Sequence, residues 1–304
     1  MSAVLPLIDA HQHFWDLRND LPWLRERPRI PFRYGDYGAI CRDYMPDDYR
    51  QDTAGFDIAG SVYVEAEWNR SDPVAETRWV HELAAAQGLP SAVVCHAALD
   101  RADVAEVLAQ QASFPLVRSL RHKPAPSTSP AEVREGRPGS MTDPAWQRGY
   151  ALLARHGLSF DLQTPWWHLR EAAALNRRFP ETTIVLNHTG LPADRTPSGI
   201  AGWEAAMAEL AACPNVAVKI SGLGQPDEPW TVEANAPLIL RTIELFGEDR
   251  CMFASNFPVD SLVASFDTIY GGFFAATAGM SAGTIEKLFA GNARRFYRLS
   301  EARA

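Results

Sequence analysis

The sequence predicts a single (β/α)₈ barrel, and three observations predict it. Eight short apolar runs rich in β-branched residues recur along the 304-residue chain. Stretches of helical length separate them, which makes neighbouring strands parallel. No G-x-G-x-x-G follows any of the runs, and this disfavours a doubly wound open sheet. With 46% apolar residues the chain has core enough for one large barrel domain over 1–304.

In order, strands are expected over 6–10, 58–66, 92–97, 116–120, 158–162, 183–187, 216–221 and 251–255. Asp72-Pro73 opens a helix over 74–87 that Gly88 closes, and Asp143-Pro144 opens another that ends at His156-Gly157. Proline suits a first helical turn, where its missing N–H has no partner to lose, and glycine suits the left-handed stop. Two connections are longer than a barrel needs, 14–45 after strand 1 and 123–141 after strand 4. Loops that follow strands lie at the C-terminal face, so both read as lids or substrate walls. The second, rich in Pro, Ser and Gly, fits a disordered surface insertion equally well.

A net charge of −8 and a pI near 5.5, without a long Lys/Arg run, exclude a nucleic-acid or anionic-lipid partner. Residues 1–7 lack a basic segment and an apolar stretch, and no later window has the length of a membrane span, so a soluble cytoplasmic protein is expected. Cys41, Cys95, Cys213 and Cys251 are far apart with no C-x-x-C, which points to buried reduced thiols.

Barrel enzymes keep their chemistry at the C-terminal ends of strands, and here those ends are polar. Strand 1 ends in Asp9-Ala10-His11-Gln12-His13, strand 2 in Glu65-Ala66-Glu67-Trp68, strand 4 in Arg121-His122-Lys123 and strand 5 in Asp161-Leu162-Gln163. Strand 6 ends in Asn187-His188, strand 7 in Lys219-Ile220-Ser221 and strand 8 in Ser255-Asn256-Phe257-Pro258. His11 and His13 are two apart, so on a strand they share a face and can converge on one ion or one substrate atom. His188 is a third candidate, although a buried histidine bonded to a carbonyl fits it as well. Glu65 and Glu67 are expected on one face, with one of them a solvated strand-end charge if it meets no cation. Trp15, Trp68, Trp166 and Trp167 follow strand ends and would wall a ring-shaped substrate, or pack as core.

The segments Ile8-Asp9-Ala10-His11-Gln12-His13-Phe14-Trp15, Tyr63-Val64-Glu65-Ala66, Ser119-Leu120-Arg121-His122, Ile184 through Gly190, Val218 through Leu223 and Met252 through Pro258 carry a resemblance. In that order, over nearly the whole chain, they resemble the amidohydrolase-related metal-dependent barrel hydrolases, in the branch of fuconolactonase-like and of dicarboxylate and sulfomuconolactone lactonases. The resemblance implies that an activated water attacks a carbonyl, with His11, His13 and His188 as the histidine set. It implies one divalent metal ion, zinc, on His11, His13 and His188 or Glu65; without metal, the histidines themselves would act as acid and base. Arg121, His122, Gln163, Lys219, Trp15, Trp68 and Trp166 are the candidate substrate contacts, with Arg121 or Lys219 steadying the oxyanion.

Two departures from the family pattern bear on mechanism. Strand 5 ends in Asp161 or Gln163 rather than a histidine, and strand 8 carries Asn256 where an aspartate would bind metal and take the water's proton. An amide is neither a base nor a good zinc ligand. Asp260, four residues on, is the substitute candidate, although Asp260-Ser261 before an apolar run also reads as a helix N-cap. The function expected is hydrolysis of a lactone from a sugar acid or a ring-cleavage product. A lyase, such as a decarboxylase of an unsaturated acid, or an isomerase is the rival, and a non-catalytic binding protein ranks last. The partner is a small molecule, and a homo-oligomer is compatible with the sequence.

Overall fold

The computed structural model describes residues 5–300. Its strands are β1 (Leu7–Gln12), β2 (Ile58–Val64), β3 (Ala92–Cys95), β4 (Val117–Leu120), β5 (Ser159–Leu162), β6 (Ile184–Leu186), β7 (Val216–Ile220) and β8 (Cys251–Phe253). They form one sheet in sequence order, every ladder parallel. The ring is brought nearly to closure just past β8, where Gln12 bridges Phe257 and the N–H groups of His13 and Asn256 donate to Phe257 O (2.7 Å) and His11 O (2.8 Å). The architecture is the expected α/β barrel.

Small and β-branched side chains fill the interior because eight strands leave little room. Ile8, Ala10, Val62, Val64, Ala92, Val94, Val185, Ala217, Met252 and Ala254 pack there, and Ala290, Ala293 and Tyr297 join them from the last helical segment. Outward residues meet the surrounding helices in a second, larger core.

Helix starts and stops follow the predicted chemistry with two corrections. The helix Ala75–Gln87 ends at Gly88, whose φ of 75° is the left-handed stop. The second expected helix is Pro144–Tyr150, capped by Asp143, and then breaks into a 3₁₀ turn, Leu153–His156. Asp260 is not an N-cap: it lies within a buried 3₁₀ turn, Val259–Leu262, and Ser265 caps the helix Phe266–Thr277. The four cysteines are free, with Cys41 only half-buried. Among the described residues, no helix is long and apolar enough to cross a membrane.

One irregularity controls where the histidines point. Asp9 pairs with Ser61 and Gln12 with Tyr63, three steps along β1 against two along β2. Plain alternation would put positions 9, 11 and 13 on one face. The extra residue is a bulge that switches the alternation, so Asp9 faces outward to the helix Pro46–Asp52 while His11 and His13 turn inward. Asp9 is fully buried and accepts from Tyr49 OH (3.0 Å), Ser255 Oγ (2.6 Å), Ser255 N (2.8 Å) and His11 N (3.2 Å). Burial raises its pKa, and these donors act against that rise.

Asp9→Ala strips four donors of their acceptor inside the core. Unmet buried donors cost about 1–3 kcal/mol each, partly relieved by relaxation, so the variant should lose roughly 3 kcal/mol or more in urea unfolding. A loss below about 1 kcal/mol would show that the bulge does not depend on this carboxylate.

Candidate active site

Three imidazoles meet at the barrel mouth. The ring centroids of His11 and His13 are 5.0 Å apart and those of His11 and His188 4.6 Å. His13 Nδ1 is 2.7 Å from Val64 O, an acceptor only, so that nitrogen holds the proton and Nε2 keeps its lone pair. His188 Nδ1 is 3.0 Å from Ser221 Oγ. Among the described residues, His11 has no partner at either ring nitrogen, although both are buried.

All three rings are held neutral. Burial is the chief cause for each, and nearby cations add to it: Lys219 for His11, Arg121 for His13 and Arg33 for His188. For His13 the pKa is pushed down to about 3. Imidazoles this weakly basic are poor proton acceptors at neutral pH but remain competent ligands and neutral donors.

The donor chemistry suits a divalent ion. Rings bound to one ion through nitrogens 2.0–2.1 Å away have centroids roughly 5 Å apart, and both pairs that include His11 have that spacing. Among the described residues no three His, Cys, Asp or Glu side chains yet converge at ligand distance. Glu65, the fourth candidate ligand, has its carboxylate engaged elsewhere. Its Oε1 accepts from Arg121 Nε (2.7 Å), and its Oε2 from Arg70 (3.0 Å) and Glu67 N (3.0 Å). Burial works to raise the pKa of Glu65, but Arg121 and then Arg70 overcome it and hold the group well below the usual range. Glu67, at a φ of 60°, lies at the rim of the cavity, where it pairs with Lys123.

Over the histidines lies a cavity of about 400 Å³. Of the predicted contacts, Arg121, Gln163, Trp15, His13, His188 and Asn256 line it. Arg121 is buried, donating Nη1 to Gln163 (2.8 Å) and Nη2 to Glu65 O (2.6 Å), which with Nε engages three of its five N–H groups.

Four predicted contacts lie away from the cavity. Lys219 is buried within the barrel 2.7 Å from Asp161 Oδ2, above the Tyr297 ring, so it compensates a carboxylate rather than steadying a substrate oxyanion. Asp161 also accepts from Tyr297 OH and Asn187, which explains why strand 5 offers no ligand. His122 accepts from Leu99 N (3.0 Å) and stacks on Trp146. Trp68 packs on Trp79, and Trp166 sits against Gly202, where a Cβ would come within 2.5 Å of its ring.

At the end of β8, Asn256 takes a φ of 58°, a left-handed conformation that asparagine tolerates. Its Nδ2 donates to Asp260 Oδ1 (2.6 Å), which also accepts from Tyr34 OH (3.0 Å). Asp260 is buried behind Asn256 rather than lining the cavity, and burial raises its pKa against the opposing pull of Arg33.

Loop 14–45 supplies the wall expected of it, but sequence reasoning did not name the side chains that form it. Trp23, Phe32 and Arg33 line the cavity, with Lys123 and Trp167 opposite elements of the same rim. The signal was present as an unusual density of aromatic and arginine residues, but neither period nor spacing told which of them turn inward. The loop is pinned by the antiparallel bridge between Trp15 and Tyr44, and loop 123–141 by Ser127, whose N–H meets His168 Nε2 at 2.9 Å.

A parallel barrel with neutral imidazoles beneath a cavity walled in part by aromatic side chains has the layout of a hydrolytic barrel enzyme. The chain belongs to the amidohydrolase family, whose model matches residues 8–299, and it is an enzyme of the hydrolase type. It is 38% identical to an uncharacterised protein of Sinorhizobium fredii over 97% of this chain and 99% of that one. It is 32% identical to the L-fucono-1,5-lactonase of Burkholderia multivorans over 97% of this chain and 96% of that one. A crystal structure of an amidohydrolase from Burkholderia multivorans with bound zinc superposes with a TM-score of 0.80 at 28% identity, covering 97% of this chain and 100% of the other.

Behind Glu65, Glu76 is buried and accepts from Tyr63 OH (2.8 Å) and Ala66 N (2.5 Å). Burial, with the Glu65 charge adding to it, pushes its pKa up to about 7. The folded protein therefore holds this proton more tightly than the unfolded chain. That stabilisation is complete below about pH 4.5 and is lost as pH rises to about 7. In urea unfolding, Glu76→Gln should gain on the wild type by up to about 3 kcal/mol between those pH values and stay level above them. A pH-independent difference would remove the buried proton.

Proposed function

We propose that this enzyme opens a lactone, of a sugar acid or of a ring-cleavage product, by attack of an activated water on the ring carbonyl. The observation that carries the reading is His11, with two buried and unpartnered ring nitrogens between His13 and His188 under the cavity. The likeness to the L-fucono-1,5-lactonase of Burkholderia multivorans supports it.

His11, His13 and His188 would hold one divalent ion, in keeping with the zinc found in the Burkholderia multivorans amidohydrolase. Such an ion lowers the pKa of water and polarises a carbonyl. With that chemistry supplied, the chain needs no strong base of its own, which accords with depressed histidine pKa values and with Asn256 at the end of β8. Asn256 gives its amide N–H to Asp260, so its Oδ1 is free to accept from the attacking water and orient it. As water adds, the carbonyl oxygen gains charge, and the two unengaged N–H groups of Arg121 can meet it. Collapse breaks the ring C–O bond; one of the water's two protons ends on the leaving ring oxygen and the other is released to solvent, leaving a hydroxyl and a carboxylate. An ester carbonyl needs only modest activation, which favours a lactone over an amide.

The purified protein should release acid from at least one member of a panel of aldono- and muconolactones followed with a pH indicator. Carbon dioxide release from an unsaturated acid, with no lactone opened, would replace this reading by the lyase. His11→Asn should lower kcat/KM by about 100-fold or more. Elemental analysis should find about one equivalent of zinc, and a chelator should abolish turnover. Less than about a tenth of an equivalent with chelator-insensitive turnover would remove the metal.

A further inference from the structure

Asn256 could meet a substrate in two opposite ways. A side-chain amide has an acceptor arm, Oδ1, and a donor arm, Nδ2, of nearly equal shape. Packing alone does not decide which arm faces the cavity, so the choice falls to the partner of the other arm. That partner is Asp260, whose Oδ1 lies 2.6 Å from Asn256 Nδ2 and 3.0 Å from Tyr34 OH. Asp260 is buried and does not itself line the cavity, whereas Asn256 does. An ionised carboxylate only accepts, so it takes the N–H arm and leaves the carbonyl arm for the cavity. Burial works against the charge of Asp260, and Arg33, Asn256 and Tyr34 work for it.

The setting is made from the substrate wall. Tyr34 belongs to loop 14–45 and lies 4.5 Å below the guanidinium of Arg33, which in turn donates Nη2 to Gly222 O (2.5 Å) just past β7. Two consecutive loop residues thus hold the segments that follow β7 and β8. The 3₁₀ turn Gly38–Ile40 of the same loop packs against Val259–Leu262, the turn that carries Asp260. Displacing the loop would take the Tyr34 hydroxyl from Asp260 and loosen the carboxylate that holds the amide.

We infer that Asp260 is a positioning residue: through its bond to Asn256 it presents an amide oxygen, rather than an N–H, to the attacking water, and Tyr34 makes that setting depend on loop 14–45 being docked on the barrel. The role of the water rests on the lactonase reading, whereas the direction of the amide is a property of the resting protein. The loop that walls the cavity thereby also sets the acceptor within it.

Side-chain amide NMR on protein carrying isotope-labelled asparagine reads the setting without turnover. The signal lost in Asn256→Ala belongs to Asn256. Its N–H protons should exchange with solvent at least about tenfold faster in Asp260→Asn, which offers a donor as well as an acceptor and no longer dictates the arm. With a lactone that the wild type opens, Asp260→Asn should lower kcat about 10- to 100-fold and change KM less than about threefold. Combined with Asn256→Ala it should cost nothing further, because the amide through which it acts is gone. Tyr34→Phe should lower kcat about three- to tenfold and speed the amide exchange by a similar factor. Unchanged exchange in Asp260→Asn overturns the setting, and so does a kcat loss that multiplies with that of Asn256→Ala. Faster exchange with kcat unchanged overturns the positioning role. If Asp260→Asn does not fold, Tyr34→Phe carries the test, and unchanged exchange and kcat there overturn the proposal. Failure to open any lactone overturns the lactonase reading alone, since the exchange rates still decide how the amide is set.

Discussion

The site depends on the buried carboxylate of Asp9. It meets β1 at the His11 amide, the segment after β8 at Ser255, and the outer layer at Tyr49. A charge so enclosed is tolerable only where donors surround it. The same set of bonds therefore holds the bulge that turns His11 and His13 inward and helps draw the two ends of the sheet together. The direction of the histidines and the closure of the barrel share one anchor.

Around that anchor, buried charges are arranged in compensated pairs. Lys219 with Asp161 lies inside the barrel, and Arg121 with Glu65 lies at the rim. Pairs of this kind add little net stability, but removing one partner is costly, typically 3–5 kcal/mol. Their effect on the site is electrostatic. Two cations near the imidazoles reinforce burial in keeping the rings neutral, while their carboxylate partners are turned to the arginine and lysine rather than to the rings. This leaves three uncharged nitrogen donors in a surrounding that resists protonation.

Much of this was legible in the sequence because the governing signals are local. Eight apolar runs in order gave the barrel, and His11, His13 and His188 at strand ends gave the cluster. What was not legible depended on single-residue geometry. One extra residue in β1 reverses the alternation, and positive φ at Glu67 and Asn256 re-aims side chains just where the strands stop. Trp166 and Trp167 are adjacent, yet only Trp167 lines the cavity. Lys219, at the end of strand 7, reads as a group that could steady an oxyanion, and the partner that engages it, Asp161, is 58 residues away in sequence. Arg33 sits in a loop, where no periodicity assigns a direction.

The bonds between Asp9 and Ser255 join groups 246 residues apart. At 5–20 residues per second, roughly 10 to 50 s of synthesis separate the two. Until the last strand emerges, the Asp9 carboxylate has Tyr49 and the His11 amide within reach but lacks both Ser255 donors. The first strand of the barrel is consequently among the last to be locked in place, and a nascent chain lacking β8 has histidines but no site. The histidine cluster takes its final direction only once β8 and the segment after it have formed.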